Sequence, residues 1–149
     1  MAISGSGLFV PTFVDVLDTT QLAVDLDLET HKGALFSNSI TVDYTANTAY
    51  AVAPFNANEV TGTNWPSGGV ALTGTTFTGA SGIATFDATD VSVASTTITG
   101  ARGYLLYCDA LAGNNALVLI DFGADYATVN GTLGVTWHAN GLFTIDLVP

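Results

Sequence analysis

Two apolar runs around a short polar loop constrain this chain more than any other feature. In the stretch GARGYLLYCDALAGNNALVLIDFG, Gly100 to Gly123, the runs GYLLYC and ALVLIDF flank DALAGNN. A strand with one wet face alternates apolar and polar residues, because successive side chains point to opposite sides of a sheet. Neither run alternates. Both are apolar on both faces, as expected of central strands covered from two sides. DALAGNN has the length and polarity of a hairpin connection. The segment therefore predicts the heart of a sandwich and not the lining of a catalytic site, although it holds the only arginine, Arg102, and the only cysteine, Cys108.

Elsewhere Val, Ile, Thr, Phe and Tyr recur in short runs punctuated by Gly and Asn, which is a strand signature. Strands are expected at Gly69 to Leu72, Ile83 to Phe86, Val91 to Val93, Thr97 to Tyr107, Ala116 to Phe122, Thr132 to Trp137 and Leu142 to Leu147. The last sets Leu142, Thr144 and Asp146 against Phe143, Ile145 and Leu147, the alternation of a half-buried antiparallel strand. Asn140-Gly141 predicts a tight hairpin turn between the final two runs, since both residue types accept positive φ. Asn130-Gly131 predicts a chain break just before Thr132.

Nearer the N-terminus, LAVDLDLE alternates strictly from Leu22 to Glu29 and predicts a strand with Asp25, Asp27 and Glu29 on one face. HKGALFS, His31 to Ser37, predicts another. LFVPTFVDVLD spaces Phe9, Phe13, Val16 and Leu17 near a helical period, with Pro11 acceptable in a first turn, and fits either a short helix or an extended arm. Tyr44 to Trp65 reads as loops with short ordered pieces. The expected architecture is all-β: a jelly-roll-like antiparallel β-sandwich over residues 21–149, preceded by an arm or short helix over residues 1–20. A chain of 149 residues is one domain and buries about 70% of its unfolded surface without staples.

Charge narrows the function classes. Charged residues make up 10% of the chain, against about 25% in typical soluble domains. Thirteen are acidic and only Lys32 and Arg102 are basic, for a net charge of −11. Two cations cannot replace the counterions of a nucleic acid, so direct nucleic-acid binding is not expected. Anionic membranes are excluded by the same sign. No run approaches the roughly 20 apolar residues of a membrane span. Met1 to Gly7 lacks the positive charge of a secretory leader, so a soluble, cytosolically made protein is expected. An exterior of Thr, Ser, Asn, Gly and Ala points to a surface largely covered by other subunits. The competing reading is an isolated Thr-rich β protein kept soluble by its net charge.

No residue set predicts catalysis or a cofactor. His31, His138 and Cys108 have no zinc-ligand spacing, and His138 reads as a surface residue at a strand end. Carboxylates two residues apart on a strand lie about 7 Å apart, so Asp25, Asp27 and Glu29 do not converge on one calcium ion. Asp87, Asp90, Asp121 and Asp125 read as turn and strand-end acids. A thiol inside an apolar central strand is inert, and Gly5-Ser6-Gly7 lacks the setting of a nucleophile elbow. Trp65 and Trp137 stand apart from any acidic cluster, unlike a glycosidase cleft. Arg102 is expected to pair with a carboxylate at the sandwich edge or at a subunit contact.

Three stretches, Asn56 to Phe77, Ala84 to Gly123 and Val129 to Leu147, carry GVALTG, FDATDVSV, GYLLYC, IDFG and the closing GLFTIDL. Together with the upstream ALFS they resemble a family of small β-sandwich virion proteins of tailed bacteriophages. Cys108 stands where that family more usually has a polar or acidic residue. The resemblance implies a structural part of the particle, most directly a capsid decoration (cement) or minor capsid protein on the outer shell. Its implied partners are the major capsid protein and further copies of the chain, with no metal or cofactor. The segment Met1 to Leu17 would anchor it, which makes Leu8, Phe9, Phe13 and Arg102 the candidate interface residues. A tail or fibre component binding a host carbohydrate through Tyr44 to Trp65 and Trp137 is the alternative.

Overall fold

The computed structural model describes residues 3–18 and 22–148. The expected boundary between arm and sandwich, at residues 20 and 21, lies outside the described residues, as do residues 1 and 2 of the arm. Two antiparallel sheets pack together as a β-sandwich, as the strand pattern predicts. The larger sheet contains β1 (Gly7–Leu8), β2 (His31–Phe36), β3 (Glu59–Val60), β4 (Val70–Ala71), β7 (Val91–Cys108) and β8 (Ala116–Val135). Its order is β1-β8-β7-β2-β3, with β4 sharing the outer edge of β2 with β3. The smaller sheet is β5 (Thr76–Ala80), β6 (Ile83–Asp87) and β9 (Phe143–Asp146), in the order β5-β6-β9. Among the described residues one helix, α1 (Val10–Leu17), follows β1.

The two opening runs occupy the middle of the large sheet, joined by the predicted loop. Their period-two pattern divides the core into two clusters. Leu35, Tyr104, Leu106 and Cys108 point to one side, where they meet Phe86 of the small sheet. Phe36, Leu105, Tyr107 and Leu119 point to the other, where Ile3, Phe9, Ile40 and Phe55 cover them. GYLLYC is apolar on both faces because both faces are roofed. At Gly33 the absence of a side chain decides the packing. A Cβ there would collide with the Tyr104 ring, which lies over it and meets Trp137 edge-on at 5.5 Å.

Four expectations need correction. The runs at residues 91–93 and 97–107 fall in a single strand, β7, and those expected at 116–122 and 132–137 fall in a single strand, β8, which ends at Val135. The break expected at Asn130-Gly131 is a bulge within β8. Ser95, Gly100, Gly123 and Asn130 all have positive φ, and the β7–β8 register shifts at several points along this stretch. A left-handed residue lets a strand absorb an extra residue and keep pairing. Asn140-Gly141 does turn the chain, with the Gly141 N–H donating to His138 O at 2.8 Å. No hairpin follows: of the two only Gly141 has positive φ, and the chain crosses to the other sheet, where β9 pairs with β6.

Residues 22–29 are not a strand: 22–25 are irregular and lead into a turn at 26–28. The cause is local hydrogen bonding by acidic side chains, which competes with a sheet ladder. Asp25 Oδ1 accepts the N–H groups of Asp27 and Leu28 at 3.3 and 3.2 Å. Glu29 Oε2 accepts the Asp25 N–H at 3.1 Å. Val24 and Leu26 still pack against the core, whereas Leu28 is exposed.

Candidate functional site

The N-terminal segment is held to the body from beneath. Leu8 pairs with Val118 in β1 and packs, half-buried, on the first core cluster. Phe9 has no exposed surface and meets Phe55 and Tyr44 at ring distances of 5.6 and 5.3 Å. Burying such a ring contributes roughly 1.5–3 kcal/mol. The Val10 N–H donates to Tyr44 O at 2.8 Å, and Pro11 sits in the first turn of α1, where a missing N–H costs nothing. Thr12 is buried and its hydroxyl donates to Ala116 O at 2.6 Å. Phe13 meets Phe143 of β9 edge-on at 6.0 Å. The Asp18 N–H closes the last turn on Val14 O at 2.9 Å.

These contacts place the candidate residues Leu8, Phe9 and Phe13 in the chain's own packing. Phe9, a candidate contact residue, serves the chain's own core and presents nothing outward. Phe13 and Leu8 are half-buried. The side chains that do face out are Val10, Val14 and Leu17, at 47%, 51% and 85% exposure. They occur at i, i+4 and i+7, one face of a helix. The signal was present in VPTFVDVL, where Asp15 is the single charged residue. A surface helix apolar nearly all round has one face that its own chain does not cover.

The outward face of α1 adjoins the open edge of the small sheet. Two hollows of about 530 and 600 Å³ lie here and share Phe13, Leu17 and Ile145 as a common wall. Asp25 and Asp27 border the first hollow and Asp18 the second. The Asp25 carboxyl is held below its ordinary range by its hydrogen bond with the Asp27 side chain and by the Leu28 and Asp27 N–H groups, while the same contact raises Asp27. Leu147 on the far rim is 69% exposed.

Arg102 lies away from this face. Its Nε is 2.9 Å from Asp121 Oδ1 and its Nη1 is 3.7 Å from Asp125. Ala101 pairs with Tyr126 and Gly103 with Asp121, so Arg102 alone stands opposite residues 122–125. The ion pair pins this bulge, and Asp121 Oδ1 also accepts the Gly123 N–H at 2.8 Å. Lys32 pairs with Asp109 at 2.9 Å. Asp87 and Asp90 accept the backbone N–H groups of Ala88 and Trp137, each at 2.9 Å.

Cys108 and His31 are embedded in the fold. The Cys108 thiol is pushed up to about 11, first by burial and then by Glu29, whose Oε2 accepts its S–H at 3.2 Å. His31 is buried and lowered below its ordinary value, chiefly by desolvation. Its Nε2 donates to the carbonyls of Asp25 and Leu26, each at 3.2 Å. No group of three or more His, Cys, Asp or Glu among the described residues is arranged to hold a metal ion. Trp65 is fully buried and offers no platform to a ligand. Trp137, with its Nε1–H donating to Thr89 O at 3.0 Å, borders a third hollow of about 500 Å³ beside Phe122 and His138. No family model, no curated protein and no solved structure matches the chain.

Proposed function

We propose that this chain is a structural protein of a tailed-phage particle, a capsid decoration or minor capsid protein that binds the outer shell and stabilises it. Its partners on this reading are the major capsid protein and neighbouring copies of itself. The observation that carries the proposal is the construction of α1. The helix is locked from below by Phe9, Thr12 and Phe13 and turns Val10, Val14 and Leu17 outward beside two apolar hollows. A rigid apolar face serves adhesion, because little order is lost when it is covered. Repeated over a closed shell, weak contacts of this kind sum to firm attachment. The sequence resemblance to small virion β-sandwich proteins supports the same reading.

Deleting residues 1–17 would remove Phe9 and Thr12 from the core and confound folding with attachment. The clean test replaces exposed side chains only. Particles assembled with the Val14→Asp, Leu17→Asp double variant should carry far fewer copies of this chain than wild-type particles, as read by densitometry of purified virions. Full occupancy would remove α1 from the attachment surface. Absence of the wild-type chain from purified particles would end the virion reading itself. The hollow beside Trp137 favours the second reading, a tail component that binds a carbohydrate. That reading requires label on the tail and loss of glycan binding in Trp137→Ala.

A further inference from the structure

We infer that the face around α1 receives a segment of a partner protein that is apolar along its centre and carries lysine or arginine at its flanks. The inference rests on the adhesion reading for the premise that this face becomes covered, and it adds the chemistry of what covers it.

The apolar half of the argument comes from the hollows. Both lie within the roughly 300–1,000 Å³ range of clefts that receive ligands. Their common wall of Phe13, Leu17 and Ile145 makes them one continuous seam. Val14 and Leu17 stand over that seam with half or more of their surface in water.

The cationic half comes from the rim. Asp18, Asp25 and Asp27 border the hollows. Neither Lys32 nor Arg102 lines either hollow, and each is already paired with a carboxylate of its own chain. A second copy packing on this face about a twofold axis would set this acidic rim against the same rim of its partner. Like charges juxtaposed across an interface disfavour the wrong partner. A segment bearing Lys or Arg meets the opposite situation: the rim steers it in, and the apolar seam retains it.

The test uses the purified full chain and two fluorescent peptides of equal length, one with a central Leu block flanked on both sides by Lys and the other with Glu in place of Lys. Anisotropy should show binding of the Leu/Lys peptide, weakening as salt rises, and no binding of the Leu/Glu peptide. Val14→Ser with Leu17→Ser, both at exposed positions, should weaken binding by about tenfold or more. Asp25→Asn with Asp27→Asn should weaken it and flatten the salt dependence, while leaving the turn its side-chain acceptors. The inference is overturned if the Leu/Lys peptide does not bind, or binds the serine variant as tightly as wild type. Equal binding of the Leu/Glu peptide overturns it too, and so does a wild-type dimer that the serine variant dissociates. These readouts need no particle, so peptide binding without virion association would retire the capsid reading and leave this inference standing.

Discussion

His31 opens β2 with no exposed surface, and its ring is tied on one side only. Nε2–H is engaged by the Asp25 and Leu26 carbonyls, which fixes the tautomer, while Phe86 meets the ring edge-on at 5.7 Å. Desolvation is the largest influence on its titration and lowers it below the ordinary value of 6.5. The two carbonyls, and the Glu29 and Asp25 charges, pull in the other direction without overcoming it. Protonation therefore favours the unfolded chain. The contribution of His31 to stability is complete above pH 6.5 and is lost as the pH falls through the lower folded value. Urea melts should show stability declining on acidification from pH 7 before most carboxylates titrate. In His31→Gln, which keeps an amide donor for the same carbonyls, that part of the decline should vanish. An unchanged slope in the variant would assign the decline to other groups. Cys108 shows why residue type alone misleads at this scale: burial pushes the thiol up, and the Glu29 carboxylate, from the same turn that holds His31, adds to it.

At the scale of elements, the long β7–β8 ribbon depends on tolerating left-handed residues in mid-strand. Asn130 sits in β8 with φ of 46°, and its N–H is held by the Thr97 hydroxyl at 3.0 Å. Its side chain is exposed, so substitution there probes backbone conformation with little disturbance of packing. Asn130→Val should lower stability by about 1–2 kcal/mol, because a β-branched residue is disfavoured in the left-handed region. Asn130→Gly should change it little. Equal losses in both variants would show that the Asn side chain matters more than its φ. The same feature marks the limit of what could be read from sequence. Strand identity was legible where apolar density is high, as in GYLLYC and ALVLIDF. Continuity was not, because Asn-Gly is equally the signature of a turn and of a bulge, and the partner strand decides between them. Residues 22–29 depart from the strand pattern for a related reason: the aspartates that produce the alternation are those that bend the chain. In the candidate site the helical spacing was legible, but which apolar side chains face outward was not. That distinction comes from Phe55, Tyr44 and Ala116, far along the chain from α1.

Two cations among 13 acidic residues set the behaviour of the whole molecule. Lys32 and Arg102 are engaged with Asp109, Asp121 and Asp125, and these pairs are partly exposed, where each contributes only about 0.2–1 kcal/mol. Against them stands the mutual repulsion of a net charge of −11, which opposes the compact state. Salt acts on both. Raising it from about 0.01 M to about 1 M contracts the Debye length from about 30 Å to about 3 Å. The few attractive contacts are short and lose little, whereas repulsion acts between charges spread across the molecule and loses most of its reach. The thermal midpoint should therefore rise with sodium chloride at constant pH, by about 2–4 °C for each kcal/mol of repulsion relieved. A midpoint that falls with salt would mean that the two ion-paired regions outweigh the surplus of carboxylates. The same imbalance links stability to attachment. A cationic partner laid on the α1 face would relieve repulsion as salt does, so binding at low salt should raise the midpoint more than binding at high salt.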